Sequence, residues 1–287
     1  LAGLDRRFGV SSTEMIRSSV LIVAYGIESL DLAWVPPTVE VLIVHNDDRL
    51  DRAACVHPNV RHLGSGHNIG FGAAMNVALA ETHTERVILC NPDTRLDRQH
   101  FDALDSGDDS TVLAIPLVEA DGTPNAVVNP YWSVAAFVAT AFRLGRYVPR
   151  GGRYRKLATR LLGRNGAAHV EALGQAPGRW PLTERWVSGA VLSLPTAAMR
   201  AVGGFDEDYF LYFEDADIQQ RLATARPDLW VELKDVEPAT HLVGGSGNAS
   251  NSAAVAGHRY DSARTYASRQ EGIGWRLTEA ALAVGAR

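Results

Sequence analysis

Cysteine is scarce in this chain: Cys55 and Cys90 are the only two among 287 residues. That excludes a disulfide framework and a cysteine-based zinc site, and it points to a reducing, cytoplasmic setting. Net positive charge is lacking as well. The 28 Lys and Arg against 33 Asp and Glu leave a formal charge of −5, which argues against general nucleic-acid binding. No apolar run reaches the roughly 18 residues that a membrane span needs. The most apolar stretch, Val134 to Leu144, is too short. Residues 1–14 carry no signal-peptide pattern, and no internal repeat is visible. Met15 sits just before the first apolar run, so residues 1–18 are expected to form a leader outside the folded domain.

What is present is an alternation of strand and helix signals. Val20–Tyr25, Val39–Val44 and Arg86–Cys90 are short, β-rich apolar runs, each stopped by polar residues or glycine. Runs of this kind suit strands buried on both faces of a parallel sheet. Phe71–Thr82 reads as a helix between the second and third, so the spacing predicts βαβ units and an α/β fold. Ala190–Leu194 reads as a further strand, Asp215–Thr224 as a helix, and the alanine-rich part from Ser252 as helical. In open parallel sheets ligands bind beyond the carboxyl ends of the strands. Tyr25, Asn46, Asp47, Asp48, Asn91 and Asp93 are therefore expected around one crevice.

Several segments carry candidate chemistry. Asn91-Pro-Asp-Thr94 follows a buried strand, where a carboxylate can hold a hard divalent cation; the same residues also form ordinary turns. Asn68-Ile-Gly-Phe-Gly72 fails as a dinucleotide fingerprint because Met75 replaces the third glycine. Its glycines can still bring backbone close to a ligand or pack a helix on the sheet. Gly203 to Asp217 is dense in aromatics and carboxylates. Glu214, Asp215 and Asp217 open a helix, where the helix dipole favours acids. The preceding aromatics would wall a pocket, in which a partly desolvated carboxylate can act as a general base. His241, beside a glycine-rich loop, is a candidate for metal or phosphate binding as well as for a structural role.

Taken in order, Val23-Ala-Tyr25, Asn68-Ile-Gly-Phe-Gly72 with Asn76, Asn91-Pro-Asp-Thr94, Trp186-Val-Ser-Gly189, Gly203-Gly-Phe-Asp206, Tyr212-Phe-Glu-Asp-Ala-Asp217 and His241 resemble the family-2 glycosyltransferases of the GT-A fold. Among these the chain resembles bacterial rhamnosyltransferases that build cell-wall linkers and surface polysaccharides. The resemblance implies a central, mostly parallel sheet flanked by helices, with a C-terminal helical part. It places a catalytic domain at 19–250, with a nucleotide-binding half at 19–118 and an acceptor half at 180–250, and a helical segment at 251–287. It implies inverting transfer of a sugar, rhamnose above all, from a dTDP- or UDP-linked donor to a lipid-linked or glycan hydroxyl, with Mg2+ or Mn2+ as cofactor. Asp215 stands at the position of the base. Asp93 stands at that of the metal-binding aspartate, with His241 as a second ligand, and Asn91 replaces the first acid of the usual Asp-x-Asp. Ala24, Tyr25, Asp47, Asn68, Asn91 and Asp93 fall to the donor, and Trp186, Ser188, Gly189 and Glu214 to the acceptor. One departure is His45, where the family often has a base-reading acid; Asp47 or Asp48 is expected to substitute.

Residues 131–166 form a basic stretch, with seven Arg and one Lys, and no acid between Asp121 and Glu171. Interleaved with apolar residues, it is expected either to touch an anionic membrane surface or lipid phosphate, or to be a solvated insertion. Two other functions compete: a sugar-1-phosphate nucleotidyltransferase, and a non-catalytic sugar-nucleotide-binding protein. The first would need a basic glycine-rich loop after the first strand, where Gly26-Ile-Glu-Ser29 stands instead. Intact Asp93 and Asp215 argue against the second.

Overall fold

A computed structural model describes residues 17–64, 66–134, 137–138, 176–242 and 253–285. The basic residues Arg143 to Arg164 and the glycine-rich loop after Leu242 lie outside them.

The core is an eight-stranded sheet in the order β3-β2-β1-β4-β11-β6-β12-β9. These strands are β1 (Ser18–Ala24), β2 (Val41–His45), β3 (Val60–Leu63), β4 (Arg86–Cys90), β6 (Thr111–Ala114), β9 (Gly178–Pro181), β11 (Val191–Pro195) and β12 (Trp230–Leu233). β11 and β9 run against the other six, so the sheet is mostly parallel, as expected. Every residue of β1, β2 and β4 is buried. Two-sided burial is why these strands read as unbroken apolar runs. β1 already begins at Ser18, and Arg17 pairs with Glu85, so the fold starts inside the expected leader.

Two small sheets flank the large one. One pairs β8 (Val128–Pro130) with β10 (Arg185–Val187); the other has the order β5 (Thr94–Arg95), β13 (Ala239–His241), β7 (Leu117–Val118). Helix α1 (Phe71–Glu81) packs on β1 and β2, followed in sequence by α2 (Arg98–Asp105), α3 (Thr196–Ala201), α4 (Glu214–Ala225), α5 (Ala253–Arg269) and α6 (Ile273–Gly285). None of the described helices is long and apolar enough to cross a membrane.

At the amino end of β4 the fully buried Arg86 donates to Ser193 Oγ, Asp108 O and Thr111 O, which ties β4 to β11 and the approach to β6. Burial lowers its pKa to about 10. The chemistry gathers at the opposite end. There a second hydrophobic cluster joins Phe137, Trp186, Tyr209, Phe213 and Ala216 to Ala263, Tyr266, Ala267 and Leu282. The C-terminal helices thus share a core with α4, the helix that carries the acidic pair.

Candidate active site

The end of β1 is organised by residues from β2 and the loop before α1. Ala24 is buried and its carbonyl accepts from Asn46 N, while the Tyr25 side chain is exposed. Asp47 Oδ2 accepts from Gly26 N at 2.7 Å and so shapes the turn after β1. Asn46 is buried; its Nδ2 donates to Asn68 Oδ1 and to Gly70 O, and Asn68 Oδ1 also accepts from Gly70 N. Asn46 Oδ1 is buried without a partner. Gly70 has φ 90, and a Cβ there would stand 2.7 Å from Phe210 O. A glycine is therefore required for the loop to lie against the aromatic segment before α4. His45, in place of an acid, turns into the protein: it is buried, with its Nε2 2.9 Å from His62 Nδ1. Burial, and then the charge of Arg52, lower the pKa of both rings.

At the end of β4, Asn91 N donates to Ala190 O at 2.7 Å, and Thr94 N closes the turn onto Asn91 O. β13 returns beside this turn. Leu242 N donates to Asp93 O, and His241 Nε2 lies 3.2 Å from Asp93 Oδ1. Asn125 Nδ2 lies 3.5 Å from the other ring nitrogen of His241. His241 also lines a cavity of about 250 Å³ with Leu117, Asn125, Ala126, Val127, Ser188 and Ala190.

The Asp93–His241 pair fits a divalent cation as a partial donor set. No group of three or more His, Cys, Asp or Glu able to hold a metal occurs among the described residues. A hard cation keeps its other sites for water and phosphate oxygens, so a two-residue set suits an ion shared with a diphosphate. Thr94 Oγ1, on the residue paired with His241 across β5 and β13, is buried without a partner. That orphaned hydroxyl is the structural sign that a polar group belongs here.

The acidic pair arrives from the other side. Tyr212 and Phe213 have φ 73 and 70, the only described non-glycine residues with positive φ. Immediately after them Glu214 and Asp215 open α4. Asp215 Oδ2 accepts from Gly189 N at 2.8 Å, and Oδ1 accepts from its neighbour Ala216 N at 2.9 Å. Burial raises the Asp215 carboxyl, and these amide donors partly offset it. Glu214 is buried with Oε2 unpartnered; burial, and then the charge of Asp215, push it well above the usual carboxylate range. The adjacent carboxylates thus differ: Asp215 holds amide donors that favour the anion, whereas Glu214 Oε2 has no partner and burial favours its protonated form.

One backbone step joins the two halves. Gly189 holds Asp215, and the next residue, Ala190, holds Asn91. Asp215 and the Asn91-Pro-Asp93 turn therefore hang on successive residues at the start of β11.

The chain is similar to bacterial rhamnosyltransferases. Two proteins of Mycobacterium tuberculosis strains, each named N-acetylglucosaminyl-diphospho-decaprenol L-rhamnosyltransferase, are 30% identical to it over 214 residues. The match takes in 69% of this chain and 64% of each relative, so it spans less than two thirds of their length. The resemblance drawn from the sequence is borne out. No family model matches the chain. Among solved structures, GalNAc-T7 with UDP, GalNAc and Mn2+ aligns with TM-score 0.49 at 12% identity, covering 80% of this chain and 44% of that one. TarS of S. aureus, residues 1–349, aligns with TM-score 0.47 at 14% identity, covering 93% and 68%.

Not every residue expected at the site lines it. Trp186 is buried in the aromatic cluster, 5.0 Å from the Trp132 ring, and its Nε1 donates to Pro130 O, so it is a packing residue. Asn76 exchanges hydrogen bonds with the backbone of Phe205 and fastens α1 to the following turn. Asp217 pairs with Arg221 and accepts from Tyr209, which makes it the structural member of the three acids. Ser188 lines the cavity, and Gly189 acts through its amide on Asp215. Two residues escaped the sequence reading. Gln219 bridges Val187 N and O and the Asp215 carbonyl, fixing α4 to β10. Its position four residues after Asp215, on the same helix face, was a usable signal. Asn125 had none, because its place beside His241 depends on the return of β13.

Proposed function

We propose that this chain is an inverting glycosyltransferase that moves a sugar, rhamnose in the first instance, from a nucleoside diphosphate to a hydroxyl of a lipid-linked acceptor. The observation that carries this reading is the backbone step at Gly189-Ala190, which sets a carboxylate base beside the Asn91-Pro-Asp93 turn and His241. Asp215 takes the proton of the acceptor hydroxyl as that oxygen attacks the anomeric carbon. The nucleoside diphosphate leaves from the opposite face, and one displacement inverts the configuration. Asp93 and His241 are the side chains that would hold Mg2+ or Mn2+, which when bound neutralises charge on the leaving diphosphate. Asp47 and the turn at Gly26 form the end of the cleft assigned to the nucleoside. The names of the mycobacterial relatives support a GlcNAc-diphospho-prenol acceptor.

The test is transfer from dTDP-L-rhamnose to a short-chain GlcNAc-diphospho-prenol with Mn2+ or Mg2+, followed by mass spectrometry. Asp215→Asn should lower turnover about 10²–10⁴-fold while the protein still binds dTDP. Wild-type turnover in folded Asp215→Asn would remove the base assignment. With such an acceptor the chain would work against a membrane surface, on this reading the inner face. The basic residues from Arg143 to Arg164 would supply peripheral contact, each contributing about 1 kcal/mol at an anionic surface, whereas Phe137, nearer the start of the stretch, belongs to the core. Co-sedimentation with anionic vesicles should weaken as salt rises; indifference of the protein to such vesicles would rule the contact out.

A further inference from the structure

The segment that presents Asp215 is held along its length by one helix face that none of the sequence motifs covers. Tyr212 and Phe213 lie in left-handed backbone, which bulky side chains adopt only when their surroundings impose it. Trp132 and Phe137 pack on the Phe213 ring, and α5 supplies the rest of those surroundings. His258 stacks on Phe210, with centroids 4.1 Å apart and planes at 22°. Ser262 Oγ donates to Leu211 O at 2.9 Å. The Arg259 guanidinium sits 4.4 Å over the Tyr212 ring. Tyr266 packs on Phe213 and donates to Gln220 Oε1 of α4 at 3.0 Å. Arg269 closes the row on Asp206 and Asp208. Residues 258, 262, 266 and 269 recur at helical spacing, so a single face of α5 meets residues of the segment between Asp206 and Gln220.

We propose that α5 is a positioning clamp for the base: His258, Arg259, Ser262 and Tyr266 hold the left-handed pair Tyr212-Phe213 and thereby fix where Asp215 points. This rests on the reading of Asp215 as the base. The clamp residues touch the backbone and rings before α4 and act through Asp215.

The test uses the full chain carrying Arg259→Ala with Ser262→Ala. Hydrogen exchange of amides 210–217 should speed up about tenfold or more, while those of β1, β2 and β4 stay unchanged. Turnover of dTDP-L-rhamnose with GlcNAc-diphospho-prenol should fall about tenfold, because small misplacement of a catalytic group is costly, and dTDP affinity should stay within about twofold. Adding Tyr212→Asn should recover part of the turnover, since asparagine adopts left-handed backbone more readily than tyrosine. A role in general stability would instead speed up exchange in β1, β2 and β4 as well. Unchanged exchange at 210–217, or accelerated exchange with unchanged turnover, would overturn the clamp. If the double variant fails to fold, Ser262→Ala alone is read in the same way, with smaller expected changes. Asp215→Asn separates the two ideas. Should it transfer at the wild-type rate, the base assignment fails, and the exchange data alone decide whether α5 holds the turn.

Discussion

Replacing Gly189 with alanine adds one methyl group directly against the proposed base. Gly189 is not among the residues with positive φ, so alanine can take its backbone conformation. The N–H that donates to Asp215 is also kept. The new Cβ would stand 3.1 Å from Asp215 Cβ and 3.3 Å from Oδ2. Ordinary carbon–carbon contact begins near 3.5 Å, so the carboxylate must retreat by about 0.4 Å. A 1 Å misplacement costs on the order of 10²-fold in rate; scaled in proportion, 0.4 Å corresponds to about 6-fold in kcat. Overpacking should cost about 1–3 kcal/mol of stability. Each kcal/mol lowers Tm by roughly 2–4 °C in a domain approaching this size. Steady-state kinetics with dTDP-L-rhamnose and GlcNAc-diphospho-prenol, beside a thermal melt, measures both. KM for the donor should hold, because the methyl faces Asp215 and not the Asp93 side of the cleft. Wild-type kcat in Gly189→Ala would show that turnover does not depend on where this carboxylate sits, and the reasoning would fail.

Two other perturbations probe the opposite half of the site and the buried acid. Asp93→Ala removes the carboxylate beside His241 and should weaken Mn2+-dependent dTDP binding by about tenfold or more in calorimetry; equal affinity would mean that Asp93 serves only the turn. Glu214 holds its proton to higher pH in the folded state than in the unfolded chain, so folding takes up a proton once pH passes the ordinary carboxylate value of about 4.3, and stability falls as pH rises. Glutamine copies the protonated form, so the Tm of Glu214→Gln minus that of wild type should grow as pH rises above about 4.5; a difference flat with pH would show that the fold does not raise the Glu214 pKa.

Local pattern decided much of this protein by itself. β1, β2 and β4 are legible because strands buried on both faces need unbroken apolar runs, and α1 and α4 because each has a clear start beside glycines or acids. The strand β3, whose residues are only partly buried or exposed, carries no such run and was not legible. Parallel topology alone put Asp47, Asn91 and Asp93 just beyond the carboxyl ends of β2 and β4, on either side of β1. Distances between residues far apart in sequence were set only by tertiary structure. β11 enters against the direction of β4, and that reversal brings Gly189 and Ala190 onto Asp215 and Asn91. β13 pairs with β5 and so carries His241 to Asp93. Trp186 suited a pocket wall equally well; its burial against Trp132, 54 residues before it in sequence, in a cluster that also holds Tyr266, made it core. The C-terminal helices read from sequence as an appended part. They became the support of the acidic turn because two adjacent left-handed aromatics cannot hold themselves, and no local pattern records which distant helix holds them.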